Sequence, residues 1–215
     1  KHWLDNYGAE ETIALCRHNN ESPPPTFRVN TLKISRPALM EKIKAAGFHC
    51  RPTDFSPDGI TANDWPLPVR KTEFFKEGLL RIQDEASQLV SYLAFPAADS
   101  SVLDVCAGSG GKTTHLACLM NGRGRITALD RDQHKLVQLE KEAARLGITT
   151  IDTAAADLNN PLPGELHEKF DYVFVDAPCS GEGMFLRDPE TRAQWSKANV
   201  LGCARRQKAI LLEAA

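Results

Sequence analysis

Cysteine is sparse and scattered in this chain. Six thiols (Cys16, Cys50, Cys106, Cys118, Cys179 and Cys203) are spread over 215 residues, and no two form a C-x-x-C pair. That spacing argues against a zinc site or a disulfide framework; reduced thiols in a cytoplasmic protein are the expectation, with no metal. Positive charge is not in excess either: 26 Lys+Arg stand against 28 Asp+Glu, a formal net charge of -2. Any nucleic-acid contact must therefore come from a local basic patch and not from the overall field. No apolar run approaches membrane-spanning length and no signal-peptide pattern is present, so no membrane partner is expected. Repeats and low-complexity linkers are missing. What remains is 42% hydrophobic and 25% charged, an ordinary balance for a globular chain able to bury a core. One large domain or two small ones fit this length.

Trp3, Leu4, Tyr7, Ile13, Ala14 and Leu15 recur at roughly helical spacing, which predicts a helix from residue 1 to about 20. Pro23-Pro24-Pro25 ends it, and Thr26 to Leu32 then alternates like a strand. Ser35 is the expected N-cap of a helix from Arg36 to Ala46, closed by Gly47. Strand-like pieces follow at Phe48 to Arg51, Gly59 to Ala62 and Leu79 to Ile82, and Asp84 is expected to cap a helix running to Ala94. This order predicts a small α+β subdomain with a connecting helix over residues 1–97. From Ser101 strands and helices alternate. Strands are expected at Val102 to Val105, Arg125 to Leu129, Thr149 to Ala154 and Tyr172 to Val175. Helices are expected at Lys112 to Met120, Asp132 to Leu146 and Lys197 to Ala215. Such alternation implies an α/β domain, residues 98–215, with a parallel sheet and crossover helices. Because it ends on a helix with no following strand, the expectation is a domain cut at its C-terminal end.

Chemistry concentrates in the run Phe170-Asp171-Tyr172-Val173-Phe174-Val175-Asp176-Ala177-Pro178-Cys179-Ser180-Gly181. An apolar strand ends in an acid, and a thiol follows three residues later in a Pro/Gly turn. Open α/β sheets bind ligands at that mouth. A carboxylate beside a thiol suits covalent chemistry on an electron-poor ring.

A second motif, Asp104 to Thr113, joins the first parallel strand to its helix through Gly108, Gly110 and Gly111. Glycines let backbone approach a ligand closely. A P-loop would need glycine where Cys106 stands, although Gly111-Lys112-Thr113 supplies its end and Asp176 could hold magnesium. A dinucleotide fingerprint would need glycine where Thr113 stands. A nucleoside cofactor instead asks for an acid at the end of the second strand to take ribose hydroxyls, and Asp130 is there. Asp157, after the third strand, is suited to an adenine amino group.

Taken together, Asp104 to Thr113, Asp130, Asp157 and Asp176-Ala177-Pro178-Cys179-Ser180-Gly181 resemble the Sun/Fmu-type (RsmB-like) RNA cytosine-5 methyltransferases. Pro23 to Leu32 and Arg81 to Ser87 resemble that family's N-terminal RNA-recognition-like subdomain and the helix after it. The resemblance covers nearly the whole chain. It implies a Rossmann-like sheet that uses S-adenosylmethionine, and methylation of cytosine C5 in RNA. Small-subunit ribosomal RNA is the expected substrate and tRNA the alternative. By matching position, Cys106, Ala107, Gly108, Ser109, Gly110, Gly111 and Lys112 would hold the methionine end of the cofactor. Asp130 would take the ribose and Asp157 the adenine, while Asp176 would complete the rim near the reacting base. Cys179 would be the thiol that helps release product. The family nucleophile is a second cysteine, in a Thr-Cys pair that this sequence does not contain. Gly108-Ser109 stands where the family usually has Ala-Pro, a mild departure expected to leave cofactor binding intact. Read without the family, Cys179 is itself the candidate nucleophile, and both roles stay open. A P-loop NTPase and a non-catalytic RNA-binding fragment retaining the pocket are the alternative functions.

Basic residues gather in three places: Arg28, Lys33, Arg36, Lys42 and Lys44; then Arg70, Lys71 and Lys76 around Phe74 and Phe75; then Arg187, Arg192, Arg205, Arg206 and Lys208. Each could track single-stranded RNA, or form a solvated face with Glu41, Glu73 and Glu77.

Overall fold

A computed structural model describes residues 2–21, 23–62, 65, 68–157, 160–162, 164–188 and 190–214. In chain order the elements are α1 (His2–His18), β1 (Thr26–Val29), α2 (Arg36–Ala45), β2 (Arg51–Pro52), β3 (Gly59–Thr61), α3 (Glu73–Lys76), β4 (Leu80–Ile82) and α4 (Glu85–Ala94). They continue with β5 (Ser101–Asp104), α5 (Thr113–Leu119), β6 (Arg125–Asp130), α6 (Gln133–Leu146), β7 (Ile151–Ala155), β8 (Tyr172–Phe174), α7 (Glu190–Gln194) and α8 (Lys197–Ala214). Ala215, the last residue expected of the final helix, lies outside the described residues. The chain divides into two units, one of residues 1–24 with 178–207 and one of residues 25–177 with 208–215.

The larger unit holds two sheets. One is antiparallel with order β2-β3-β1-β4, and the other is parallel with order β7-β6-β5-β8. The sequence division at 97/98 falls in the connection between α4 and β5, inside this unit. Alternation along the parallel strands buries both faces, as crossover helices require. Val102, Ile126 and Ala128 join Leu116, Met120, Leu139 and Leu146 in one core. Leu103, Val105 and Leu129 point the other way, into a core shared with Ile210 and Phe170. In the antiparallel sheet Phe27, Val29, Ile60 and Leu80 pack with Leu39 and Ile43 of α2.

Local signals explain most boundaries. Ser35 caps α2 by accepting from Ala38 N, and Asp132 caps α6 by accepting from His134 N (2.9 Å). β1 stops at Val29 and does not run to Leu32 as expected. Asn30 turns the chain, its side-chain oxygen accepting from Leu32 N (3.2 Å) and its carbonyl from Lys33 N (3.0 Å). Asp84 stands at the N-cap of α4, but its carboxylate makes no capping bond there. Its neighbour Glu85 instead accepts from Phe55 N (2.6 Å) and Ser56 N (2.8 Å), tying down the loop before β3.

In the smaller unit α1 is interrupted at Gly8 (φ 76°, ψ 178°), whose carbonyl accepts from Thr12 Oγ1 (2.6 Å). Trp3 meets Phe185 at a centroid distance of 6.1 Å. Arg192 donates to the carbonyls of Asn19 and Phe185 and to Asn20 Oδ1. Among the described residues no helix is long and apolar enough to cross a membrane.

Candidate active site

The glycine loop leaves β5 stitched to both neighbouring strands. Val105 N donates to Phe174 O (3.1 Å) and Ala107 N to Leu129 O (2.8 Å). The loop then turns through Gly110 (φ +81°), where an added Cβ would come within 2.6 Å of Leu139 Cγ on α6. Only glycine lets the loop lie that close to the helix. The open side is at Gly108, where a Cβ would meet nothing within 4 Å.

Two acids, Asp130 and Asp176, bond to this loop. Asp130, ending β6, accepts from Gly108 N through Oδ2 (2.9 Å) and from Asp132 N through Oδ1 (2.9 Å). Each carboxylate oxygen keeps a second lone pair, so ribose hydroxyls can still be accepted. Asp176, two residues past β8, is held by Lys112, with Nζ 2.5 Å from Oδ2. Asp157 is exposed two residues past β7, its carbonyl accepting from Asn160 N (2.8 Å). The structure thus ties Gly108 to Asp130 and Lys112 to Asp176, as one continuous loop.

Beneath the loop lies Asp104, 1% exposed, accepting from Thr113 Oγ1 (2.8 Å) and Cys106 N (3.4 Å). Burial pushes its carboxyl up to about 6 against the pull of those hydrogen bonds. Cys106 is half-buried, and burial followed by the charges of Asp104, Asp130 and Asp176 pushes its thiol up to about 11. A neutral thiol at ordinary pH makes Cys106 loop wall and not nucleophile.

Cys179 is exposed and lies in the smaller unit. Its turn is pinned on both sides: Pro178 O accepts from Gln207 Nε2 (3.0 Å), and Glu182 accepts from Ser180 Oγ (3.3 Å) and Trp195 Nε1 (2.6 Å).

The expected basic face of the first subdomain is mostly not a free surface. Arg28 is fully buried and donates to Gly111 O, Gln83 and Thr114. Lys33 donates to the carbonyls of Glu77 and Arg145, and Arg36 to that of Ser56. Lys42 and Lys44 stay exposed on α2. Asp104, Arg28 and Arg81 were not anticipated as parts of the site. The signals were present: a strand-end acid ahead of the loop, and arginines alternating with apolar residues in Phe27-Arg28-Val29 and Leu80-Arg81-Ile82.

Comparison with known proteins gives this arrangement a family. Residues 91–215 match the family described as 16S rRNA methyltransferase RsmB/F, and residues 1–69 match an RsmF/B-like, ferredoxin-like methyltransferase domain. The probable ribosomal RNA small subunit methyltransferase B of Bacillus subtilis (strain 168) is 36% identical over 215 residues, 100% of this chain and 48% of that protein. The 28S rRNA (cytosine(4447)-C(5))-methyltransferase of Homo sapiens is 30% identical over 212 residues, 98% of this chain and 26% of that protein. A crystal structure of a methyltransferase homolog protein from Pyrococcus horikoshii matches with a TM-score of 0.81 and 29% identity, covering 99% of this chain and 67% of that one. The chain spans about half or less of the length of these two curated relatives. Its parallel sheet with the glycine loop after β5 is a methyltransferase fold, and the chain belongs to the 16S rRNA methyltransferase RsmB/F family.

Proposed function

We propose that this protein takes part in methylating C5 of a cytosine in RNA, with small-subunit ribosomal RNA as the substrate. The observation that carries the reading is Asp176, fixed by Lys112 of the glycine loop, three residues ahead of the exposed Cys179. The names of the relatives, small-subunit and 28S rRNA methyltransferases, support the substrate class. S-adenosylmethionine would supply an electrophilic methyl group. The loop from Cys106 to Lys112 would hold its amino-acid end, Asp130 its ribose and Asp157 its adenine.

Cytosine C5 is a poor nucleophile until a thiolate adds at C6, a step the resemblance gives to a Thr-Cys thiol that this sequence does not contain. Asp176 would face N3 and the exocyclic amine, passing a proton to N3 as electrons move there from C6 and accepting a hydrogen bond from the amine. Lys112 restricts that carboxylate to one position, so little reorganisation is left for the reaction. Cys179 is assigned the release step, in which the C5 proton leaves and the C6–S bond breaks. The base must be unstacked to be reached, so a loop or bulge is the expected target. Residues 1–97 would serve as the RNA-facing subdomain.

The test is a calorimetric titration with S-adenosylmethionine, run in parallel with Mg-ATP. Binding of the methyl donor alone is the expected result. Binding of Mg-ATP alone would replace this reading with a P-loop enzyme.

A further inference from the structure

Arg28 on β1 and Arg81 on β4 are direct cross-strand partners. They share the face opposite Phe27, Val29 and Leu80. From there both reach the glycine loop. Arg28 Nη1 donates to Gly111 O (2.8 Å) and Gln83 Oε1 (2.5 Å), and Nη2 to Thr114 Oγ1 (3.0 Å). Arg81 Nη2 donates to Ser109 O (3.0 Å), while Nη1 lies 2.9 Å from Glu142 Oε1 on α6. The carbonyls on either side of Gly110 are therefore each taken by one guanidinium.

We propose that Arg28 and Arg81 are a positioning pair that sets the loop's affinity for the amino-acid end of the cofactor, by holding the Ser109 and Gly111 carbonyls against the antiparallel sheet. This rests on the reading that the loop from Cys106 to Lys112 binds that end. A trans peptide carries its C=O and N–H on opposite sides. Drawing Gly111 O back toward Arg28 sends the Lys112 N–H the other way. It also removes an oxygen that would repel a carboxylate.

Stability alone does not account for Arg28. Its hydrogen bonds end only on a carbonyl, a carboxamide and a hydroxyl, and its Nε has no hydrogen-bond partner among the described residues. Burial lowers its pKa to about 10. An apolar side chain of similar length would avoid that desolvation but could not hold the Gly111 carbonyl.

The experiment compares two ligands on the full chain: S-adenosylhomocysteine, and 5′-methylthioadenosine, which has the nucleoside but no amino-acid end. In Arg28→Met the affinity for S-adenosylhomocysteine should fall about tenfold, the scale of one lost well-aimed hydrogen bond. Affinity for 5′-methylthioadenosine and the melting temperature should hold. Arg28→Lys should recover part of the loss. Arg81→Gln, at a site 11% exposed, should move in the same direction, and it carries the comparison if Arg28→Met does not fold. Equal losses for both ligands, or no loss for either, would overturn the proposal while leaving the cofactor reading in place. A wild-type chain that binds neither ligand would remove the cofactor reading and this proposal with it.

Discussion

Asp104 and His115 are buried ionisable groups whose titrations oppose each other. The Asp104 carboxyl rises from 3.8 to about 6 through burial. Its contribution to stability is present below pH 3.8 and is lost as pH rises through about 6. His115 falls from 6.5 to about 4, again through burial, despite Asp58 Oδ2 at 3.4 Å. Its contribution is present above pH 6.5 and is lost as pH falls through about 4. Between those limits the two offset. Asp104→Asn should therefore raise the melting temperature at neutral pH and leave a steeper fall on acidification, read from melts across that range. An unchanged pH profile would show that Asp104 does not titrate as its burial requires. Asp130→Ala should weaken S-adenosylmethionine binding by about 1–3 kcal/mol by calorimetry, since both the proposed ribose contact and the Gly108 tether go. Thiol labelling should modify exposed Cys16 and Cys179 first, and Cys118 and Cys203 only on unfolding. The sequence pointed to Asp130 and Asp176, which the structure ties to the glycine loop, because each follows an apolar strand. It hid the fate of Arg28, because alternation says which face a residue takes and not what covers that face.

Elements with signals at both ends were legible; those ended by a tertiary contact were not. α6 was read to within a residue because Asp132 and Gly147 mark its ends. The break at Gly8 of α1 was not visible, since apolar spacing continues through it. The glycine loop lies between these cases. Its glycines were evident, but the reason for Gly110 is Leu139 on α6, a contact remote in sequence. Gly110→Ala should cost about 1–3 kcal/mol through left-handed strain and the clash with Leu139. Chemical denaturation would measure it, and a cost near zero would mean the loop can move off the helix.

For the chain as a whole, a net charge of -2 and the internal use of Arg28, Lys33 and Arg36 leave only Lys42 and Lys44 of the first basic cluster exposed to phosphate. RNA binding should therefore depend weakly on salt, with a log–log slope of magnitude below about 4, or roughly five phosphates. A much steeper slope would reveal a larger basic surface. Sequence alternation placed the parallel sheet and its crossovers correctly. It could not pair residues 1–24 with 178–207, because that association depends on contacts such as Arg192 with Asn20. The two family matches, ending at residue 69 and beginning at residue 91, invite recombination between them. The hydrogen bond from Arg28 to Gly111 crosses that junction, and the one from Arg81 to Ser109 starts inside it. A chimera that took each half from a different relative would inherit a lock and a key cut separately, and its cofactor loop would be only as well set as the two donors happen to agree at Arg28, Arg81 and Glu142.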